Sequence, residues 1–231
     1  MPEPMIATRT ADSGNTEPVP AREVELDHHR GLLWKERGAR ALYVLAHGAG
    51  AGIDHPFMAG LAALLAERGI ATLRWEFPYM TAGKKRPDPA AVAEASARRV
   101  WTASKRFARG LPRFAGGKSF GGRMTSRAHA ATALPELQGL VFVGFPLHPP
   151  EKPGTERADH LAQAAGPLLF VQGTRDDLAD LALLRPVVRD LGSRATLHIL
   201  DGADHGFTRK RDLTDVADAI VAWIDRILDS A

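Results

Sequence analysis

A serine between two glycines lies near the middle of the chain. Residues 117–121 read GKSFG and match the pattern Gly-x-Ser-x-Gly, with Ser119 at its centre. In this pattern a strand turns sharply into a helix, and the glycines are needed because a Cβ there would collide with a neighbouring strand or helix. The turn presents the serine hydroxyl at the helix N-terminus. We therefore predict that Ser119 is a nucleophile; the alternative is a glycine-rich turn that contains a serine by chance.

A phosphate-binding loop is a second interpretation of the same residues. Residues 116–119 read GGKS, and Gly-Lys-Ser is also the end of the common phosphate-loop pattern. That pattern requires a glycine five residues before its Gly-Lys pair. This chain has Pro112 there, so the spacing argues against a phosphate-binding loop.

A histidine in a loop near the C-terminus is the candidate general base. A serine hydroxyl becomes a strong nucleophile when such a base lies within hydrogen-bond distance. Residues 201–207 read DGADHGF and separate the last predicted strand from the last predicted helix. Because of this place in the chain order, we predict that His205 is the base, and a surface histidine in a polar loop is the alternative.

Two adjacent carboxylates follow the penultimate predicted strand. A carboxylate is expected to hold the imidazole in the tautomer that can accept the serine proton. We predict Asp176 in this role, and Asp177 is the alternative. Asp177 is expected to cap the helix that is predicted to begin at Leu178.

A glycine-rich loop follows the first predicted buried strand. Residues 47–52 read HGAGAG, and their glycines let the chain expose backbone N–H groups. The oxyanion of a tetrahedral intermediate needs such donors. We predict that one donor is the amide of Ala49 or Gly50 and that the other is the amide of Phe120. His47 is interpreted as structural.

The hydrophobic pattern indicates the elements that position these residues. After an opening hairpin, short apolar runs alternate with helical segments, as in a parallel sheet that is buried on both faces. The predicted strands cover residues 22–26, 32–35, 41–46, 70–75, 113–116, 140–144, 168–172 and 195–200. The predicted helices cover residues 56–68, 89–108, 120–130, 178–190 and 212–228. We predict the α/β class, with a doubly wound, mainly parallel sheet and helices on both faces.

Length and composition fit one domain of ordinary size. The chain has 231 residues, of which 45% are hydrophobic and 25% are charged. Residues 1–20 lack periodicity, so we predict a disordered tail there and one domain over residues 21–231. The absence of cysteine excludes thiol nucleophiles and thiolate metal sites. No apolar run is long enough for a signal peptide or a membrane span, and we expect a cytoplasmic protein without a membrane partner.

The order Ser119, Asp176, His205, preceded by residues 47–52, resembles the α/β-hydrolase superfamily. The chain also resembles a small bacterial group related to dienelactone hydrolases, and the hydrolase-like domain of subunit 3 of the non-specific lethal complex. The narrower resemblance is carried by residues 46–52, 77–79, 117–124 and 144–150. The resemblance implies an α/β-hydrolase fold. Dienelactone hydrolases proper use a cysteine nucleophile, whereas this chain has a serine.

Two features bear on the substrate. Only about a dozen residues follow the strand that ends at Gly144 before the next helical signal, so we expect no substantial lid domain and an open pocket. Residues 84–127, the basic segment, contain 12 Lys or Arg and two carboxylates. The segment is either a solvated face or part of a site for an anionic substrate. Aromatic residues are not interleaved with its charges, which argues against nucleic-acid binding. The candidate substrate-binding residues are Lys118, Arg123 and His148.

These residues together predict a serine hydrolase that cleaves an ester, thioester or related acyl bond through an acyl-enzyme intermediate. The expected partner is a small-molecule acyl substrate, and the chemistry needs no metal or organic cofactor. A non-catalytic hydrolase-like interaction module is the alternative, because fold alone does not define function. The joint presence of all the expected side chains favours the enzyme.

Overall fold

Eight strands form one sheet in the computed structural model, which describes residues 21–230. The strands are β1 (Arg22–Glu25), β2 (Arg30–Trp34), β3 (Ala41–Ala46), β4 (Ile70–Trp75), β5 (Arg113–Lys118), β6 (Leu137–Val143), β7 (Leu168–Arg175) and β8 (Ala195–Asp204). Their order across the sheet is β1-β2-β4-β3-β5-β6-β7-β8. The disordered tail predicted for residues 1–20 lies outside the described residues.

The sheet is parallel except at its β1–β2 edge. The opening hairpin is antiparallel, and β2 is antiparallel to β4. All pairings from β4 through β3, β5, β6 and β7 to β8 are parallel. The carboxyl ends of six strands therefore lie at one edge, where ligands bind in sheets of this kind.

Helices cover both faces of the sheet. They are α1 (Pro56–Glu67), α2 (Pro78–Thr81), α3 (Ala90–Ala108), α4 (Phe120–Ala131), α5 (Leu181–Asp190) and α6 (Lys210–Asp229). One core cluster contains Ala97 of α3, Met124 of α4 and Leu184 of α5. The other contains Leu61 of α1 and Ile220 of α6. The predicted fold class, α/β with a mainly parallel doubly wound sheet, is confirmed.

No lid domain covers the carboxyl edge between β6 and β7. Residues 144–167 contain only a 3-10 helix, Glu156–Ala162. A second 3-10 helix, Gly192–Arg194, precedes β8. Within residues 21–230, no helix is long and apolar enough to cross a membrane.

Several element boundaries near the candidate residues differ from the sequence prediction. Strands β5 and β7 run to Lys118 and Arg175 rather than ending at residues 116 and 172. Strand β8 runs to Asp204 rather than ending at residue 200, because Arg175 of β7 pairs with Asp204 beyond an irregularity in the ladder. Helix α5 begins at Leu181 instead of residue 178. Its N-cap is Asp180, whose side chain accepts a hydrogen bond from the backbone N–H of Ala182 at 2.8 Å. The prediction that Asp177 caps this helix is therefore wrong.

Candidate active site

The sharp turn between β5 and α4 holds Ser119 in a strained backbone conformation, with φ 49° and ψ −117°. A Cβ at position 117 would lie 2.2 Å from the carbonyl oxygen of Ala46, and one at position 121 would lie 2.5 Å from that of His47. These approaches are too close for any side chain, so both flanking positions require glycine. The strand pairing around Gly117 and the packing of α4 thus fix the turn that presents Ser119.

Three side chains from three loops form a continuous hydrogen-bonded chain. Ser119 Oγ lies 2.8 Å from His205 Nε2. The other ring nitrogen of His205, Nδ1, lies 2.9 Å from Asp176 Oδ1 and 2.8 Å from Oδ2. The Asp176 side chain is fully buried, whereas the His205 side chain keeps 20% of its surface exposed. The structure thus brings together the three residues that the sequence predicts as nucleophile, orienting carboxylate and base.

A buried network holds the carboxylate of Asp176. Its Oδ1 accepts a hydrogen bond from the backbone N–H of Leu178 at 2.9 Å, and its Oδ2 accepts one from Gln172 Nε2. Gln172 Oε1 in turn accepts from the backbone N–H of Phe145 at 2.9 Å. Gln172 was not among the sequence candidates, because a lone buried amide in a strand has no distinguishing pattern. Asp177, by contrast, is exposed.

Hydrogen bonds made by His47 and Tyr79 hold the loop that follows β3. The backbone N–H of Phe77 donates to His47 Nε2 at 3.1 Å, so the His47 proton is on Nδ1, which donates to the carbonyl of Gly48 at 2.7 Å. Burial lowers the pKa of His47, which favours this neutral ring. Tyr79 Oη donates to the carbonyl of Ala49 at 2.8 Å. These bonds fix the carbonyl groups of the loop, and Tyr79 is a second contributor that the sequence prediction did not include.

The predicted oxyanion donors are free to bind a ligand. Among residues 21–230, the backbone N–H groups of Ala49, Gly50 and Phe120 donate to no other protein group. Phe120 is the first residue of α4, where backbone N–H groups have no partner within the helix. The helix N-terminus also favours negative charge at this position.

A cavity of about 330 Å³ lies beside Ser119 and His205. Its walls are mostly apolar and contain the glycine-rich loop after β3. The remaining lining residues include His55, Phe57, Met58, Lys118, Leu178 and Gly206. Within the described chain, no group of three or more His, Asp or Glu side chains is arranged to hold a metal ion.

The three candidate substrate-binding residues occupy different environments. Lys118 lines the cavity, whereas Arg123 and His148 are not among its lining residues. His148 Nδ1 lies 2.9 Å from the carbonyl oxygen of Pro149, and its Nε2 accepts from the backbone N–H of Asp180 at 2.9 Å. Both ring nitrogens of His148 are therefore bonded to the backbone.

Arg123 lies on α4 among other cations. Burial and the neighbouring Arg157 and Arg127 lower its pKa to about 10. Its Nε is buried and has no hydrogen-bond partner among the described residues. Arg127, one turn further along α4, forms an ion pair with Glu94 at 2.6 Å.

Part of the charge of the basic segment is offset by carboxylates. Arg99 pairs with Asp27, Lys105 and Arg113 both pair with Glu136, and Arg127 pairs with Glu94. The partners Asp27 and Glu136 lie outside the segment, so the excess of basic residues in the sequence overstates the local charge. These contacts favour the interpretation of the segment as a largely solvated face.

The parallel sheet and the serine at the strand-to-helix turn define the class of α/β hydrolases. The sequence model of a family described as "Alpha/beta hydrolase domain" matches residues 39–229. The chain therefore belongs to the α/β-hydrolase family.

Several solved structures share this fold. A dienelactone hydrolase from Anabaena variabilis is 22% identical and has a TM-score of 0.74, with 89% of this chain and 96% of that chain covered. An α/β serine hydrolase homologue from Coxiella burnetii is 19% identical, with a TM-score of 0.71 and coverage of 87% and 95%. A serine hydrolase without a lid from Xanthomonas campestris is 20% identical, with a TM-score of 0.69 and coverage of 91% and 96%.

Proposed function

We propose that this protein is a serine hydrolase that cleaves an ester, thioester or related acyl bond with Ser119, His205 and Asp176. The proposal is carried by one observation, the chain of hydrogen bonds from Ser119 Oγ to His205 Nε2 at 2.8 Å and from His205 Nδ1 to Asp176 at 2.8 Å. Each group has the chemistry that its proposed role requires: Ser119 supplies a hydroxyl, His205 a titratable base and Asp176 a carboxylate.

In the proposed first half-reaction, Ser119 Oγ attacks the carbonyl carbon of the substrate while its proton passes to His205 Nε2. Asp176 holds the ring so that Nδ1 carries a proton and Nε2 can accept one. The backbone N–H groups of Phe120 and of Ala49 or Gly50 stabilise the oxyanion. When the tetrahedral intermediate collapses, the proton on Nε2 moves to the leaving group, and the acyl group stays bonded to Ser119.

The second half-reaction uses water in place of the leaving group. Water gives a proton to His205 Nε2 and attacks the acyl carbon, and the second tetrahedral intermediate releases the acid. The proton on Nε2 returns to Ser119 Oγ. The reaction therefore consumes one water, and it regenerates the enzyme without a change of redox state.

The site favours a small acyl substrate. Its cavity of about 330 Å³ is at the lower end of the usual size of ligand pockets, and its walls are mostly apolar. A structure described as the esterase domain of a Rhodothermus marinus protein shares the fold at 16% identity and a TM-score of 0.68. This description adds support for the ester class.

A fluorophosphonate probe tests this proposal, because it labels only a serine that is activated as a nucleophile. Wild-type protein should be labelled at Ser119 and should hydrolyse p-nitrophenyl butyrate, and Ser119→Ala should lose both properties. Ser126→Ala is the matched control, since Ser126 Oγ also lies within hydrogen-bond distance of a histidine, His160, at 2.7 Å. Absence of labelling in the folded wild-type protein would overturn the proposal and favour a non-catalytic interaction module.

A further inference from the structure

Lys118 links the strand that carries the proposed nucleophile to the loop that carries the proposed base. It is the last residue of β5 and directly precedes Ser119. Its Nζ donates a hydrogen bond to the backbone carbonyl of His205 at 2.6 Å. The same Nζ lies 5.2 Å from the centre of the Phe207 ring, two residues beyond His205. One side chain therefore contacts the backbone of His205 and the aromatic ring of Phe207 in the same loop.

The surroundings of Lys118 disfavour the charged form of its side chain. Burial lowers its pKa to about 8, although the nearby carboxylates of Asp176 and Asp204 act in the opposite direction. The ion pairs of residues 21–230 do not include Lys118. Its strongest polar contact is thus a charge-assisted hydrogen bond to a main-chain carbonyl.

The fold leaves space for this contact at Gly144, the residue after β6. A Cβ at position 144 would lie 3.1 Å from Lys118 Nζ and 3.4 Å from His205 Cε1. Gly144 also has a φ of 67°, which favours glycine. The lysine and the imidazole therefore pack together over a position without a side chain.

Building on the proposed function, we infer that Lys118 is a positioning residue that holds the His205 loop in its catalytic place, rather than a binding residue for the substrate. The imidazole must stay within hydrogen-bond distance of Ser119 Oγ throughout both half-reactions. Phe207 has a φ of 54°, so the loop is held in a backbone conformation that side chains seldom adopt. The hydrogen bond from the Lys118 ammonium to the carbonyl of His205 restrains this loop at the residue that carries the proposed base.

The ammonium should matter more than the length of the side chain. When Lys118 loses its proton, the bond to the His205 carbonyl becomes a neutral one of about half the strength. The groups that face the lysine are Asp176, Asp204 and His205. In wild-type protein we therefore expect kcat to decline as the pH rises through about 8.

The experiment compares Lys118→Met and Lys118→Arg with wild type and with Lys105→Met, which removes an exposed lysine of α3. Lys118→Met should lower kcat for p-nitrophenyl butyrate by about 10- to 100-fold and leave KM within about twofold. It should also lose the alkaline decline in kcat. Lys118→Arg should recover most of the rate and keep it above pH 8, because guanidinium stays charged. Lys105→Met should behave as wild type.

Several results would overturn this inference. They are an unchanged kcat in Lys118→Met, a rise in KM alone, and an alkaline decline that persists in that variant. The fluorophosphonate probe separates this inference from the proposed function. If wild type is labelled at Ser119 and Lys118→Met is labelled equally fast, only the role of Lys118 is wrong. If wild type is not labelled, the proposed function itself fails.

Discussion

Two serine–histidine pairs lie along helix α4, and they differ in the charged groups near the histidine. Ser119, at the N-cap, lies 2.8 Å from His205, and Ser126, inside the helix, lies 2.7 Å from His160. The second nitrogen of His205 faces the buried carboxylate of Asp176. His160 instead lies near arginines, and burial together with those cations lowers its pKa to about 4.

This difference shows that a short serine–histidine distance is not enough to define a nucleophile. A base must become a cation when it accepts the serine proton. In the proposed mechanism, the carboxylate of Asp176, 2.8 Å from His205 Nδ1, would stabilise that cation. Arg123 and Arg127 oppose the cation at His160. Ser126 is also fully buried, so a substrate cannot reach it. The two pairs thus form an internal control, with similar serine–histidine distances and opposite neighbouring charges. The Ser126 hydroxyl also donates to the carbonyl of Arg123 at 2.9 Å.

The largest expected effect separates the two histidines. His205→Ala should lower kcat/KM for an activated ester by at least about 10⁴-fold, because the proton of Ser119 then has no acceptor. His160→Ala should change kcat/KM by less than about threefold. Steady-state kinetics at pH 7.5 on both purified variants provide the measurement, with circular dichroism as the check of folding. Comparable losses in the two variants would contradict the assignment of His205 as the base.

The next largest effect tests the role of the Asp176 carboxylate, which contacts His205 Nδ1. Asp176→Asn should lower kcat by about 10⁴-fold. The Asn amide oxygen can keep the bond from Gln172, and the amide NH₂ then faces His205 Nδ1 and leaves the proton on Nε2. In that tautomer Nε2 cannot accept the serine proton. The NH₂ also replaces the oxygen that accepts from the backbone N–H of Leu178, so that bond is lost.

Asp177→Asn is the matched control for this prediction. Asp177 is exposed, and Asp180 rather than Asp177 caps α5. We expect kcat within about twofold of wild type and a change in unfolding free energy below about 0.5 kcal/mol. If the two variants exchange these phenotypes, the roles of the two carboxylates must be exchanged as well.

The sequence predicts the bounds of β3 and β4 better than those of the edge strand β8, for a physical reason. The predicted bounds of β3 and β4 match the structure, because all six residues of each strand are buried between helices. Strand β3 is an unbroken apolar run, and β4 is apolar except for Thr72 and Arg74. Strand β8 lies at the sheet edge and is half-exposed, so its last four residues look like a polar loop. Their strand conformation depends on pairing with β7, which no local pattern encodes.

Some residues of the candidate site could be predicted from the sequence, and others could not. The order of Ser119, Asp176 and His205 could be predicted, because each follows a strand at the carboxyl edge of the sheet. Gln172, Tyr79 and the contacts of Lys118 could not be predicted, because they depend on which side chains meet across separate loops. The sequence also suggested His148 for the substrate, but only the structure reveals that its two ring nitrogens bond to the backbone.

A smaller effect concerns His160, whose lowered pKa makes the free energy of unfolding depend on pH. The pKa of His160 is about 4 in the folded protein and near its ordinary value of 6.5 when unfolded. As the pH falls from 6.5 towards 4, the unfolded chain binds the proton and the folded protein does not, so stability is lost. Allowing for partial exposure, we expect a loss of about 2 kcal/mol.

Urea unfolding of wild type and His160→Gln at pH 7 and pH 4.5 measures this loss. Glutamine can keep a hydrogen bond to Ser126 but does not titrate, so its unfolding free energy should fall less between the two pH values. Equal pH dependence in both proteins would show that His160 titrates normally in the folded state.

The smallest expected effect isolates one arginine of the second pair. Arg123 lowers the pKa of His160, after burial and Arg127 in importance. Arg123→Gln should therefore raise the pKa of His160 only part of the way towards its ordinary value, because burial and Arg127 remain. A histidine titration by NMR can resolve such a change, and Arg189→Gln on the exposed surface of α5 is the control. An unchanged pKa in Arg123→Gln would mean that burial and Arg127 alone keep His160 neutral. The contrast between the two histidines would then rest less on the charge of Arg123 and more on the buried position of the second pair.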